Sequence, residues 1–148
     1  MAASDAGERT ERLTSIVKLL DVGVFLIFAV FALWRAHWGV RAYVGLAIAI
    51  AGFALWMTAR KQLGASFTLG AEARGLVTTG VYSKFRHPIY LFAFVAYTGL
   101  FLMWGSWFSF LVFGLFNLIQ MYRIRKEEAA LDQAFGDAYR RYREQTWM

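Results

Sequence analysis

The chain contains no cysteine. Disulfides, thiolate nucleophiles and cysteine-ligated metals are therefore excluded. It has only two histidines, His37 and His87, far apart in sequence. A protein metal site would need carboxylates to complete it, and none is expected. Proline occurs once, at Pro88. Charge is scarce: 18% of residues are charged and 59% are hydrophobic, where a soluble domain carries about a quarter charged residues. There is no Walker-type or dinucleotide-binding glycine motif and no nucleophile elbow, so a nucleotide-like cofactor would have to bind by another arrangement. The polar stretch from Met1 to Thr14 lacks the form of a signal peptide, whose apolar core ends at a small-residue cleavage site. The first apolar run thus reads as a retained span.

What the chain does have is long uncharged runs. Ala42 to Ala59 carries no charge, and Pro88 to Tyr122 carries none over 35 residues. Runs of about 18 or more apolar residues argue for membrane spans. The second run would make one helix of roughly 52 Å at 1.5 Å per residue, against a hydrocarbon core of about 30 Å. It should therefore fold back on itself. Trp104-Gly105-Ser106-Trp107 is the expected turn, with glycine for tight geometry and tryptophans suited to the interface. The expected fold is an all-α, polytopic transmembrane protein forming one domain over residues 1–148. Four spans are predicted over residues 13–34, 43–59, 88–104 and 106–122, the last two forming a C-terminal helical hairpin. A loop over 60–87 and an amphipathic C-terminal helix over 123–144 complete it. Gly45 and Gly52, with Ala47, Ala49 and Ala51 between them, give span two the small residues that permit close helix packing.

The formal net charge of +6 would raise nucleic acid as a partner for a soluble protein. Membrane topology explains it instead, and no nucleic acid is expected. Arg9, Arg12 and Lys18 precede span one. Arg60, Lys61, Arg74, Lys84 and Arg86 lie between spans two and three. Arg123, Arg125, Lys126, Arg140, Arg141 and Arg143 follow span four. Only Arg35 and Arg41 lie in the alternate loop, and the hairpin turn has no basic residue. The positive-inside rule then places both termini and the long loop in the cytoplasm. In a prokaryote this would be a multi-pass protein of the inner or plasma membrane.

The residues able to carry chemistry fall on that same side. Arg86-His87-Pro88 stands where the loop enters span three. Proline suits the first turn of a helix, so Arg86 and His87 would lie at a helix N-terminus, where free N–H groups and the helix dipole favour an anion. The same residues also suit a basic anchor at the interface. On a helix from Tyr122 to Tyr142, the residues Ile124, Leu131, Phe135, Tyr139 and Tyr142 share one face. Arg125, Lys126, Asp132, Gln133, Asp137 and Arg140 share the other. Glu128 falls within the apolar cluster, and a buried carboxylate requires a partner. That partner is either a cation of the protein or one on a ligand. Glu127 and Arg123 lie at the cluster's edge, one turn apart, a spacing that also serves as plain helix support. Gly136 is a possible break in this helix. Asp21, near the start of span one, is most simply paired with Lys18 one turn away, although carboxylates inside membranes are functional candidates by default. Tyr82 and Tyr90 are aromatic residues able to stack on a planar ligand.

Taken together these segments resemble a known family. Gly80-Val81-Tyr82 followed by Arg86-His87-Pro88-Ile89-Tyr90 is similar to the G-x-Y…R-H-P-x-Y signature of isoprenylcysteine carboxyl methyltransferases and the related phospholipid methyltransferases. Arg123-Ile124-Arg125-Lys126-Glu127-Glu128 resembles their R-x-x-x-E-E. Leu131, Phe135-Gly136, Tyr139 and Tyr142 resemble their L-x-x-x-F-G-x-x-Y-x-x-Y tail. The resemblance runs from about Gln62 to Tyr142. It implies an enzyme that uses S-adenosylmethionine to methylate a lipid-like small molecule drawn from the membrane lipids. The acceptor would be an isoprenoid carboxylate or thiol, or a phospholipid amine. It further implies cofactor contacts from Tyr82, Arg86, His87, Tyr90, Leu91, Glu127 and Tyr139, with Arg123 and Glu128 at the methyl-transfer centre. Two positions depart from the family pattern: Val81 stands where proline is common, and Phe92 where glycine is common. A membrane reductase using a nicotinamide cofactor is a second reading, since sterol reductases share an R-H-P-x-Y-like element, but Ile89, Leu91 and Phe92 do not match theirs. A non-enzymatic membrane scaffold is a third.

Overall fold

The structure is a computed structural model that describes residues 20–64 and 76–147. Arg9, Arg12, Lys18 and Arg74, which figured in the sequence reading, lie outside the described residues. The chain is helical over residues 20–35 (α1), then over Val40–Leu63 (α2), Pro88–Trp104 (α3), Trp107–Phe135 (α4) and Asp137–Gln145 (α5). A one-turn 3-10 helix, Gly80–Ser83, precedes α3. Among the described residues there is no strand; a single parallel bridge pairs Phe85 with Trp147. Helices α2 and α4 are long and apolar enough to cross a membrane, and α3 is a shorter apolar helix. The protein is an all-α membrane protein.

Helix ends fall where backbone chemistry places them. Pro88 opens α3 at its first turn with His87 as its N-cap residue. Gly105 ends α3 in the left-handed conformation (φ 64°), and its N–H donates to the Phe101 carbonyl. Ser106 caps α4 by accepting from the Phe108 N–H at 3.3 Å. The expected turn is thus the observed one. The C-terminal helix differs from expectation, because span four and the following segment are one continuous helix. The backbone ladder runs unbroken across Tyr122 and Arg123, and the first interruption is Gly136, at φ +49°. At 29 residues α4 is roughly 43 Å long, so its last turns project beyond a hydrocarbon core of about 30 Å. The residues from Trp107 to Tyr122 are uncharged, and charged residues begin at Arg123.

The core is the α2–α3 contact. A Cβ on Gly45 would stand 2.7 Å from the Gly99 carbonyl, and one on Gly52 would stand 2.7 Å from the Ala96 Cα. A Cβ on Gly99 would in turn meet Ala49. The small residues of α2 therefore exist to admit the α3 backbone, the close approach expected of such stripes. Because Gly45 meets Gly99 and Gly52 meets Ala96, the two helices run antiparallel. Aromatic side chains lock the other helices onto this pair. Phe25 of α1 meets Trp56 and Tyr97 edge-on at 5.7 and 5.3 Å. Phe116 and Phe113 of α4 meet Tyr97 and Phe101 at 4.5 and 5.0 Å. Outward, α1 and α4 present exposed Leu26, Ile27, Val30, Phe110, Leu111 and Leu118, apolar surface that suits a lipid solvent.

The bundle has two unlike ends. Trp34, Trp38, Trp104 and Trp107 gather at one, where Phe31 and Trp104 rings meet at 4.9 Å; a tryptophan belt of this kind marks a membrane interface. At the other end α2 finishes, α3 begins, and Asp21 of α1 forms an ion pair with Arg60 of α2 at 2.8 Å. Arg60 also lies over the Trp56 ring, 4.8 Å from its centroid. The observed partner of Asp21 is thus a cation 39 residues away on another helix, which one-turn spacing does not reveal.

Candidate functional site

The charged end of the bundle is assembled by four segments. Gly80, at φ +62°, turns the chain into the 3-10 helix, and the Val81 N–H donates to Gln62 Oε1 at 2.7 Å. Proline at position 81 would have no such hydrogen, which gives the departure at Val81 a physical use. Tyr82 is buried, and its hydroxyl donates to the Ala59 carbonyl of α2 at 3.3 Å. The loop is thereby tied to α2 just before Arg86. Phe92, the second departure, is buried and packs edge-on against Phe85 at 5.9 Å, so it fills the helix-packing layer under the loop.

At the centre stands Glu128. Its Oε1 accepts from Arg86 Nη1 at 2.7 Å and lies 3.3 Å from His87 Nε2. His87 is buried, only 4% exposed, while Glu128 is half-buried. The carboxylate placed on the apolar face of its helix has therefore found its partner, a cation from 42 residues earlier in the chain. Burial raises the proton affinity of the Glu128 carboxyl, but hydrogen bonds from Arg86 and His87 outweigh it and hold the carboxyl below its ordinary range.

A second group lies beside the first. Tyr90 stands close enough to Glu127 for the carboxylate charge to act on its hydroxyl, and the Arg123 guanidinium lies over the Tyr90 ring, 5.8 Å from its centroid. Tyr90 thus stands beside both residues, which lie one helical turn apart on α4. His87 and Tyr90 rings meet edge-on at 6.0 Å, joining the two groups. Leu91 packs against the apolar core one turn after His87. Tyr139 of α5 is 1% exposed, and desolvation, reinforced by the Glu128 charge, pushes its hydroxyl up to about 12. Burial likewise pushes Tyr142 up to about 12 and raises Tyr82, so all three remain neutral donors at physiological pH.

The nine candidate residues, Tyr82, Arg86, His87, Tyr90, Leu91, Arg123, Glu127, Glu128 and Tyr139, are all at this end of the bundle, with Leu91 half-buried against the core and Tyr82 tying the loop to α2. The apolar face of the C-terminal segment is also as expected, with Tyr139 and Tyr142 buried and Arg125, Lys126, Gln133, Asp137 and Arg140 exposed. Asp132 of the polar face pairs with Arg140 at 3.1 Å. Sequence reasoning missed the backbone partners. Arg86 Nη2 donates to the Arg143 carbonyl at 3.2 Å, and the Tyr142 hydroxyl donates to the Tyr82 carbonyl at 2.7 Å. A carbonyl acceptor leaves no trace in residue identity, although the tail tyrosine was itself a signal.

At one end of this all-helical bundle of apolar helices the fold gathers arginine, histidine and two carboxylates around buried and half-buried aromatic residues. The chain belongs to the phospholipid methyltransferase family, whose model matches residues 40–138. The match begins at the start of α2, earlier than the motifs alone indicate. The chain is also 33% identical over 135 residues to the protein-S-isoprenylcysteine O-methyltransferase of Schizosaccharomyces pombe, covering 86% of this chain and 54% of that one. It thus spans about half the length of that relative.

Proposed function

We propose that the protein transfers a methyl group from S-adenosylmethionine to a lipid-soluble acceptor, an isoprenoid carboxylate or thiol or a phospholipid amine, at the cytoplasmic face of a membrane it crosses four times. The observation that carries this reading is a pair of buried polar atoms beside Glu128. The Tyr139 hydroxyl and Arg86 Nε have no hydrogen-bond partner among the described residues. Buried polar groups are rarely left unsatisfied, so both donors are open to an acceptor on a bound ligand. A cofactor with a carboxylate and a sulfonium cation fits this donor set. Arg86, His87 and Tyr139 offer donors, Tyr90, Tyr82 and Leu91 offer ring and apolar edges, and Glu127 and Glu128 offer negative charge.

When bound, the cofactor supplies an electrophilic methyl group. The chain's own residues then have separable tasks. Glu128 provides negative charge next to a cation. Its lowered proton affinity makes it a weaker base than an ordinary carboxylate, so its electrostatic role outweighs proton abstraction. A carboxylate acceptor needs no base at all. Arg123, held over Tyr90, places positive charge where an acceptor's anionic group would enter. The Arg86–Glu128 contact fixes the Glu128 carboxylate before any ligand arrives, and such positioning supplies much of the rate in methyl transfer.

The test is calorimetry of S-adenosylmethionine binding to the detergent-solubilised protein, comparing wild type with Glu128→Ala and His87→Ala. Binding in wild type that weakens in both variants supports the reading. Folded wild-type protein that takes up no heat with S-adenosylmethionine overturns it.

A further inference from the structure

The carboxyl-terminal segment after Gly136 closes back over the loop that carries Arg86 and His87, and it does so through backbone groups at three points. The Tyr142 hydroxyl donates to the Tyr82 carbonyl at 2.7 Å and lies 3.5 Å from the Phe85 carbonyl. The Arg86 guanidinium donates to the Arg143 carbonyl at 3.2 Å. The Trp147 N–H donates to the Lys84 carbonyl at 2.8 Å, and the Trp147 carbonyl accepts from the Arg86 N–H at 2.9 Å. These contacts bracket the segment 82–86 on both sides of Phe85. They also bring together residues about 60 positions apart.

We propose that Tyr142 is a positioning residue. Its hydroxyl fixes the backbone of 82–85, and through it the direction in which Arg86 and His87 face Glu128. The reasoning is geometric. Arg86 and His87 follow a 3-10 turn and precede a proline, so no regular helical ladder holds their backbone. The N-cap residue His87 sits at φ −123°, ψ 56°, outside both helix and strand regions, and has no side-chain cap. Orientation must come from tertiary contacts. On one side the Tyr82 hydroxyl holds the Ala59 carbonyl of α2; on the other, the Tyr142 hydroxyl holds the Tyr82 carbonyl. Tyr142 is buried at 7% exposure, so water does not replace its hydroxyl at low cost. Thr146 stabilises the same segment, its hydroxyl donating to the Tyr142 carbonyl at 2.8 Å. The Phe85–Trp147 bridge then extends the clamp to the residue adjoining Arg86.

This rests on the proposed cofactor reading for its kinetic consequence, but not for its structural one. The experiment is Tyr142→Phe, which deletes one oxygen and keeps the ring, measured two ways. Hydrogen exchange without any ligand is expected to speed up at amides 84–87 and 147 while the α2–α3 amides stay unchanged. In methyl-transfer assays KM for S-adenosylmethionine is expected to rise roughly tenfold, the worth of about one hydrogen bond, with kcat within about twofold. A purely structural role would lower the active fraction, and so apparent kcat, at constant KM. Unchanged exchange at 84–87, or a fall in kcat at constant KM, overturns the proposal. Faster exchange at 84–87 in a protein whose wild type binds no S-adenosylmethionine overturns the cofactor reading alone and leaves the positioning of the loop by Tyr142 standing.

Discussion

His87 and Glu128 are 41 residues apart in the chain and 3.3 Å apart in space. Arg86 reaches the same carboxylate oxygen at 2.7 Å. One oxygen therefore receives both members of the Arg-His pair that opens α3. Its position is set by a helix that passes through the bundle before reaching them.

Arg86→Gln and Glu128→Gln each leave a half-buried partner without its counter-charge. A hydrogen bond to a charged group contributes about 1.5–3 kcal/mol, so each variant should weaken S-adenosylmethionine binding roughly 10- to 100-fold. The double variant should lose less than the sum, because the two residues act as a unit. Calorimetry on all three proteins checks this, and strictly additive losses would show that the pair does not act together.

The pH response should carry the sign of Glu128. Its folded-state proton affinity is lowered, so its ion pairing contributes fully above the ordinary carboxylate value of about 4.3. The contribution is lost as pH falls through the lower folded value. Thermal melting from pH 7 down to pH 3 should show an acid limb in wild type that is shallower in Glu128→Gln. Superimposable limbs in the two proteins would remove Glu128 from the account.

The α2–α3 contact should reject any added carbon. Gly52→Ala places a Cβ against the Ala96 backbone, and overpacking of this kind costs about 1–3 kcal/mol. Gly114→Ala on α4 meets nothing within 4 Å and should be neutral or slightly stabilising, since alanine favours helix over glycine. Melting temperatures in one detergent compare the two, and equal values would mean that the helices separate to accommodate the methyl.

Asp21→Asn removes the charge that faces Arg60 across two helices. The expected cost is about 1–3 kcal/mol, with α1 released first because Asp21 is its polar tie to α2. Limited proteolysis should then cut ahead of α1 sooner than in wild type, while the α2–α3 region stays protected. Wild-type proteolysis would assign the tie to the Phe25 and Phe28 aromatic contacts alone.

Much of this architecture was legible in the residues. Uncharged runs marked the apolar helices, Pro88 marked the start of α3, and Gly105 with Ser106 marked the hairpin turn, because each acts on the backbone locally. The alternation of apolar and polar positions around Glu128 identified a carboxylate in need of a partner. The extension of α4 to Phe135 was not legible, since a run of charged residues reads equally as the end of a span and as its continuation into water. Only a backbone breaker decides, and the first one is Gly136.

By itself, then, the sequence determined which segments are helical, which face of the tail is buried and which residues are able to hold charge, because propensity, periodicity and helix breakers are local properties. The tertiary structure alone decided who meets whom. It paired Asp21 with Arg60 and Glu128 with Arg86 and His87, and set Tyr142 against the Tyr82 carbonyl. Those choices follow from the antiparallel register of α2 on α3, fixed by glycines at Gly45, Gly52 and Gly99, and from backbone carbonyls that every residue shares and no sequence pattern distinguishes.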